Sequence, residues 1–334
     1  MKIYGNKHAL ERLMDYRRSG RLPHSLLISG ETGTGKRTLA DYTAMLYFCK
    51  SGDTPCGQCD LCTRIEQHIH PDVIYIDCGE LSVSGLREVL RSSYGMPVEG
   101  ELRIYIMTEF QLFNRDCQNA LLTYLEEPSE HTRFILTSSN RSGILPTILS
   151  RTALIQTEPL DPAECAEALR ERGQVEDAEK LSAMWGGNLG MALKAVSEKN
   201  SLLYLDAARE YVSALCKGEE YTALTVIQRL PQPKDDKRGP VRELILAVGK
   251  ILHDAFVFAG GGTGTSGCDA ELAKRLADKY DIAALSAFCI EAERFSNTAA
   301  AVNFNSRITA NAFTAALFAA ADKTEKTIPE RKNK

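Results

Sequence analysis

A short apolar stretch, HSLLIS over residues 24–29, runs directly into the turn Gly30-Glu31-Thr32-Gly33-Thr34-Gly35-Lys36, and a helix-forming segment over 36–49 follows. Strand, glycine-rich turn and helix in that order are the context in which such a turn acts as a phosphate-binding loop. The glycines let the backbone curl so that its N–H groups cradle an anion, and the helix N-terminus favours negative charge. Gly30, Gly33, Gly35 and Lys36 are therefore the candidate nucleotide-binding residues, with Lys36 set against the outer phosphates. The competing reading is a turn that serves only the fold; the strand and helix on either side favour the loop.

The rest of the first 160 residues fits around that unit. Apolar strands are expected at 73–77, 103–107, 133–137 and 153–156, separated by helix-like segments, as a parallel α/β sheet requires. At Pro159-Leu160-Asp161-Pro162 the pattern changes to helical periodicity alone. It breaks at 185–188, around 231–240 and at the glycine run 260–267, which reads as a flexible loop between helices. The expected division is an α/β domain over 1–160, a small helical domain over 161–200, a helical third domain over 201–325 and a polar tail over 326–334.

The phosphate loop lacks its usual metal-holding partners. The residue after the lysine should carry a hydroxyl for Mg²⁺, but it is Arg37. Thr38 is one position later, turned by roughly 100° around the helix and away from the metal. The strand ending at Met107 runs into Thr108-Glu109, where Asp-Glu would complete the acidic motif. Glu109 can still stand as a base, but the aspartate that helps hold the metal is gone. Phosphoryl transfer rests on positioning and charge neutralisation by metal and cationic groups, so hydrolysis is expected to fail even if nucleotide binding survives.

Four of the ten cysteines, Cys49, Cys56, Cys59 and Cys62, fall within fourteen residues. The paired CxxC spacing lets thiolates converge on one ion, and four protein ligands close the coordination shell, so a structural zinc is expected. The alternatives are an iron–sulfur cluster, which also uses CxxCxxC runs, or free thiols. His68 and His70 lie nearby, but His70-Pro71-Asp72 opens the next strand, which favours a structural or surface role for both.

A net charge of −4 argues against a dedicated nucleic-acid-binding module, because phosphate neutralisation dominates that affinity. No apolar run reaches the roughly 18 residues that span a bilayer, and the first twenty residues carry no secretory signal pattern. A cytoplasmic protein with no membrane association is expected, with reduced thiols.

Taken together, the phosphate loop, the four-cysteine insert (49–62), HPDV (70–73), ALLTYLEEPSEHTRFILTSS (120–139) and LPTILSRT (145–152) resemble the clamp-loader branch of the AAA+ proteins. The resemblance is dense over residues 1–200 and thinner beyond, where NFNSR (303–307) and the helical pattern carry it. It implies an α/β AAA+ P-loop domain with a parallel sheet, then a small helical lid and an all-α collar. The motor ATPases of that branch have Ser or Thr after the loop lysine, Asp-Glu at the acidic motif and an arginine in the lid's sensor 2. Here those positions read Arg37, Thr108 and Gly190. These losses resemble the branch's delta-prime class, which is usually a rigid partner for the ATPase beside it. The resemblance further implies that Arg151, in Ser150-Arg151-Thr152, acts as an arginine finger in a neighbouring subunit. The implied partners are gamma/tau-like ATPases and delta, and, through the complex, the sliding clamp and primer-template DNA of DNA polymerase III replication. The competing readings are an active motor subunit of the same branch and a zinc-dependent nucleic-acid-binding protein. For Arg151 the plainer reading is a solvated cap on the strand at 153–156; for Glu126 and Glu127 it is helix-end charge.

Overall fold

The computed structural model describes residues 2–173, 177–197, 201–230, 239–262, 269–299 and 305–322. The chain divides into two compact units. One comprises residues 1–168 together with 188–191, the other residues 169–187 and 192–334.

In the first unit five strands form one sheet: β1 (Ser25–Ser29), β2 (Val73–Asp77), β3 (Arg103–Thr108), β4 (Thr132–Ser138) and β5 (Ala153–Gln156). Their spatial order is β2-β3-β4-β1-β5 and every pairing is parallel. All five expected strands are present within a residue or so of their expected bounds. Six helices connect them: α1 (Lys7–Arg18), α2 (Lys36–Phe48), α3 (Asp60–Glu66), α4 (Val83–Arg91), α5 (Arg115–Glu126) and the short α6 (Pro146–Leu149).

Parallel strands need crossovers, and these cover both faces of the sheet, which is why the strands read as unbroken apolar runs. Side chains nevertheless alternate between two cores. Leu26, Ile28, Ile104, Ile106 and Ile135 pack with Leu13 of α1, Leu39 and Met45 of α2, and Cys62 and Ile65 of α3. Leu27, Tyr105, Met107, Phe134 and Leu136 pack with Leu86 and Leu90 of α4, Leu121 and Leu125 of α5, and Ile148 of α6. The two cores fix the strand ends, and so the loops at their C-terminal edge.

The second unit draws on α7 (Pro162–Gly173), which begins in the first, α8 (Ala178–Met184), α9 (Leu189–Ser197), which also begins in the first, and six longer or later helices. These are α10 (Ser201–Lys217), α11 (Glu220–Gln228), α12 (Gly239–Ala259), α13 (Ala270–Lys279), α14 (Ile282–Ala299) and α15 (Ser306–Asp322). Helix α12 is central, packed on α10, α13 and α14. A buried hydrogen bond from Tyr211 to Thr314 (3.0 Å) and stacking of Tyr211 on Phe313 join α10 to α15. The break expected at 185–188 is a turn made by Gly186 and Gly187, both at positive φ. Most of the 260–267 loop, Phe304 and the C-terminal tail lie outside the described residues. Among the described residues no helix is long and apolar enough to cross a membrane.

Candidate functional site

The phosphate loop leaves β1 at Gly30 and enters α2 at Lys36. A Cβ on Gly30 would lie 2.1 Å from the Thr157 hydroxyl, so only glycine lets the loop pass the end of β5. Gly33 and Gly35 are at φ +91° and +87°, the left-handed region that turns the loop back on itself.

The carbonyls of the loop are satisfied one after another from within the unit. Lys36 Nζ donates to Gly30 O (3.0 Å) and Glu31 O (2.8 Å). Asn188 Nδ2 donates to Thr32 O (2.7 Å), Gly190 N–H to Gly33 O (3.0 Å), and Asn6 Nδ2 to Thr34 O (3.0 Å). Thr34 and Thr157 share a buried hydroxyl contact at 2.7 Å. With its carbonyls held, the loop keeps its shape, and the first-turn N–H groups of α2 have no intrahelical acceptor. That is an anion-binding geometry. Lys36 itself is only 5% exposed, and burial lowers its pKa while the charges of Glu109 and Glu31 oppose that shift. Sequence reasoning missed Asn6, Thr157 and Asn188, because each comes from a distant part of the chain.

Around the positions expected to hold metal and base, the side chains make the following contacts. Arg37 is exposed, one turn before the buried Asp41, and its charge favours that carboxylate. Asp41 accepts from Tyr75 (2.9 Å) and contacts His68 Nε2 (3.3 Å), and its pKa is raised by burial in spite of them. His68 therefore belongs to a polar contact with α2. The His70 ring packs tilted against Phe48, centroids 4.6 Å apart, and its Nδ1 accepts from the Asp72 N–H. The Thr108 hydroxyl donates to Ile76 O (3.3 Å). Glu109 sits at φ +51°, with its N–H donating to Thr137 Oγ1. Its carboxylate accepts from Gln111 Nε2 (2.6 Å) and Ser139 Oγ (3.0 Å), while Gln111 Oε1 accepts from Ser138 (2.7 Å). The residues at the ends of β3 and β4 thus close into one network.

At Gly190, where the resemblance expects the sensor 2 arginine of a motor subunit, a Cβ would lie 2.6 Å from both Cα and O of Gly33. An arginine does not fit there with the loop in this place.

Arg151 lies just after α6. Its Nη1 donates to Thr147 O (2.9 Å) and Ser150 Oγ (3.3 Å), and its Nη2 pairs with Glu126 at 2.7 Å. The side chain remains about one-third exposed, at 36%.

The four cysteines come together as their spacing requires. Cys49 caps α2, Cys56 lies in the following loop, Cys59 caps the N-terminus of α3 and Cys62 lies within α3. Their sulfurs all lie within 4.8 Å of one another, an arrangement that can hold one metal ion. Backbone N–H groups point at two of the sulfurs, Cys56 N to Cys49 Sγ (3.4 Å) and Cys59 N to Cys56 Sγ (3.3 Å). Hydrogen bonds from Gln58 and Cys59 lower the Cys56 thiol to about 6, whereas burial pushes Cys62 up. Arg17 fastens the loop to α1 through Cys49 O (2.8 Å), and Arg18 through Asp53 (3.0 Å).

The sequence profile of the family described as "DNA polymerase III, delta subunit" matches residues 5–161. The tau subunit of DNA polymerase III from Escherichia coli is 31% identical over 250 residues, which are 66% of this chain and 39% of that one. The gamma subunit from Buchnera aphidicola is 38% identical over 45% of this chain and 42% of its own length. The delta' subunit from Bacillus subtilis is 30% identical over 52% and 54%. The chain thus spans about two fifths to one half of the length of these relatives. A gamma-subunit-related protein from Thermotoga maritima aligns over 94% of this chain and 99% of its own at 17% identity, with a TM-score of 0.45. In its matched segments, and with the sheet and phosphate loop described above, the chain is a homologue of the DNA polymerase III clamp-loader subunits.

Proposed function

We propose that this chain is a non-motor, delta-prime-type subunit of a DNA polymerase III clamp loader, working in the cytoplasm in the ATP-dependent placement of the sliding clamp on primed DNA. Its partners in this reading are gamma/tau-like ATPases and delta, with clamp and primer-template DNA reached through the complex. Arg151 acts in trans on the neighbouring ATPase, where such fingers contribute about 10³–10⁵ in rate. The three-part division expected from the sequence, with boundaries near 160 and 200, is proposed with it.

The observation that carries this reading is the contact of Gly190 with Gly33, which leaves no room for a sensor 2 arginine at the phosphate loop. It supports a site that has given up catalysis, alongside Arg37 and Thr108 at the two metal-holding positions. Gly30, Gly33, Gly35 and Lys36 remain suited to holding nucleotide phosphates without turnover. A motor reading draws on Lys36 and Glu109, which are both retained, but Glu109 is bound to Gln111 and Ser139.

We propose zinc as the ion of the four-cysteine site, in a structural role. In a tetrahedral thiolate site with Zn–S of about 2.3 Å, neighbouring sulfurs lie about 3.8 Å apart. Cys49 and Cys56 have theirs at 3.7 Å. An iron–sulfur cluster would spread the four thiolates over two or more irons and so hold some of the sulfurs wider apart than the 4.8 Å that encloses all four here. Bound there, the ion would join the end of α2 to α3.

The deciding experiment is ATP turnover by a loader reconstituted from this chain with its motor and delta partners, comparing wild type with Arg151→Ala. The isolated chain is expected to be inert, and Arg151→Ala to lower the rate of the complex tenfold or more with assembly intact. Turnover by the isolated chain, with no effect of Arg151→Ala, would make it a motor in its own right.

A further inference from the structure

The ion pair between Arg151 and Glu126 joins two elements far apart in sequence, the last residue of α5 and the turn after α6. We infer that Glu126 is the positioning residue of Arg151: it holds the guanidinium in one place at the surface and leaves the Nε and Nη2 donors free. This rests on the trans-acting role proposed for Arg151.

Three observations support it. First, the guanidinium is held on both its terminal nitrogens, by Thr147 O and Ser150 Oγ at Nη1 and by Glu126 at Nη2. Of its five N–H donors, the two on Nη1 are used, while Nη2 is held by the charge of Glu126, so Nε and Nη2 donate no hydrogen bond among the described residues. Second, the last turn of α5 contains no basic residue, and Glu126 stands at the negative end of the helix dipole. Arg151 is the cation that balances both. Third, the side chains of Arg151 and Glu126 are 36% and 46% exposed, so the pair lies at a surface where another molecule can meet it.

A long arginine side chain loses rotamer freedom when it engages a phosphate. Fixing it beforehand removes part of that cost. Glu126 contributes only through Arg151, and that distinguishes it from a residue that merely stabilises the fold. Glu127, the next residue, makes no ion pair among the described residues and serves as the control.

The test is a double-mutant cycle in the reconstituted loader, with kcat and KM for ATP measured separately and assembly checked by size-exclusion chromatography. Glu126→Ala is expected to lower kcat about two- to fivefold, the size set by a half-exposed charge pair, with KM unchanged. Glu126→Gln, which keeps the acceptor oxygen, recovers part of the loss, and Glu127→Ala has no effect. In the Arg151→Ala background, Glu126→Ala changes nothing further. Losses that multiply in the double variant, an unchanged rate with Glu126→Ala, or a faster rate from an unmasked arginine would each overturn the assignment of Glu126. No effect of Arg151→Ala itself would instead sink the trans-acting reading beneath it, so the two failures are separable.

Discussion

The backbone N–H of Gly190 donates to the carbonyl of Gly33 at 3.0 Å, and no Cβ can be placed on Gly190 without entering the backbone of the phosphate loop. The position at which the resemblance expects a motor's arginine is here a contact between two backbones. Gly190→Ala must push that contact apart and is expected to cost about 1–3 kcal/mol, the usual range for overpacking. A denaturant titration with unchanged slope and a lowered midpoint checks it. Gly190→Arg is expected to destabilise further and to restore no turnover to the isolated chain; if turnover appeared, the loop would be more adaptable than this contact implies.

The four-cysteine site makes a separate prediction. The four sulfurs lie within 4.8 Å of one another in the fold, a site the unfolded chain does not hold preformed, so metal affinity adds to folding stability. The purified chain is expected to carry one zinc per molecule. Chelation, or Cys62→Ser at the buried ligand, should lower the melting temperature by several degrees, since about 1 kcal/mol moves a domain of this size by roughly 2–4 °C. Metal analysis and thermal denaturation with and without chelator decide it. An unchanged melting curve on complete metal removal would confine the ion to no structural role.

Asp72 provides the pH-dependent case. It is fully buried, accepts from the N–H groups of Val98, Glu99 and Gly100, and lies 3.6 Å from Arg103. Burial alone would raise its pKa, but those donors and the Arg103 charge outweigh it, and the net shift is downward from 3.8. For a carboxyl depressed in the folded state, the stability is present above the unfolded value and is lost as pH falls through the folded one. The contribution is therefore expected to be full at neutral pH and to fade below about pH 4. Asp72→Ala strands Arg103 and should cost about 3–5 kcal/mol at pH 7. Its stability deficit should shrink as the pH is lowered from 5 to 3, measured by denaturant titration at each pH; a deficit constant across that range would rule out the charge as its source.

How much of this was legible beforehand depended on range. The five strands were readable because each is a short apolar run buried on both faces, and the four cysteines because their ligand spacing is local. The departures at Arg37 and Thr108 were readable because both stand at fixed offsets from the glycine turn and the strand end. What sequence could not supply were the long-range partners: Asn6 and Asn188 on the loop carbonyls, Thr157 against Gly30, and Glu126 on Arg151. Each brings together residues 25 to 156 positions apart with no periodic or spacing signal. Glu126 read as solvated helix-end charge for that reason.

Glu109, at the position expected of a base, is tied into hydrogen bonds of its own. In a working motor, its carboxylate would need to reach an attacking water. Here Gln111 and Ser139 both donate to Oε2, and its backbone N–H is held by Thr137, so the side chain is part of the network that joins the ends of β3 and β4. Replacing it with glutamine removes the negative charge and weakens two hydrogen bonds to an ionised acceptor, each worth about 1.5–3 kcal/mol when made to charge. Glu109→Gln is therefore expected to lower the stability of the isolated chain by a measurable part of that sum. The loader's ATP turnover should stay within twofold of wild type if, as proposed, this chain's own site contributes no hydrolysis. Stability and turnover measured on the same preparation separate the alternatives. A loss of turnover without a loss of stability would mean that Glu109 works as a base, and that the magnesium-holding roles of the missing side chains have been taken over by something else.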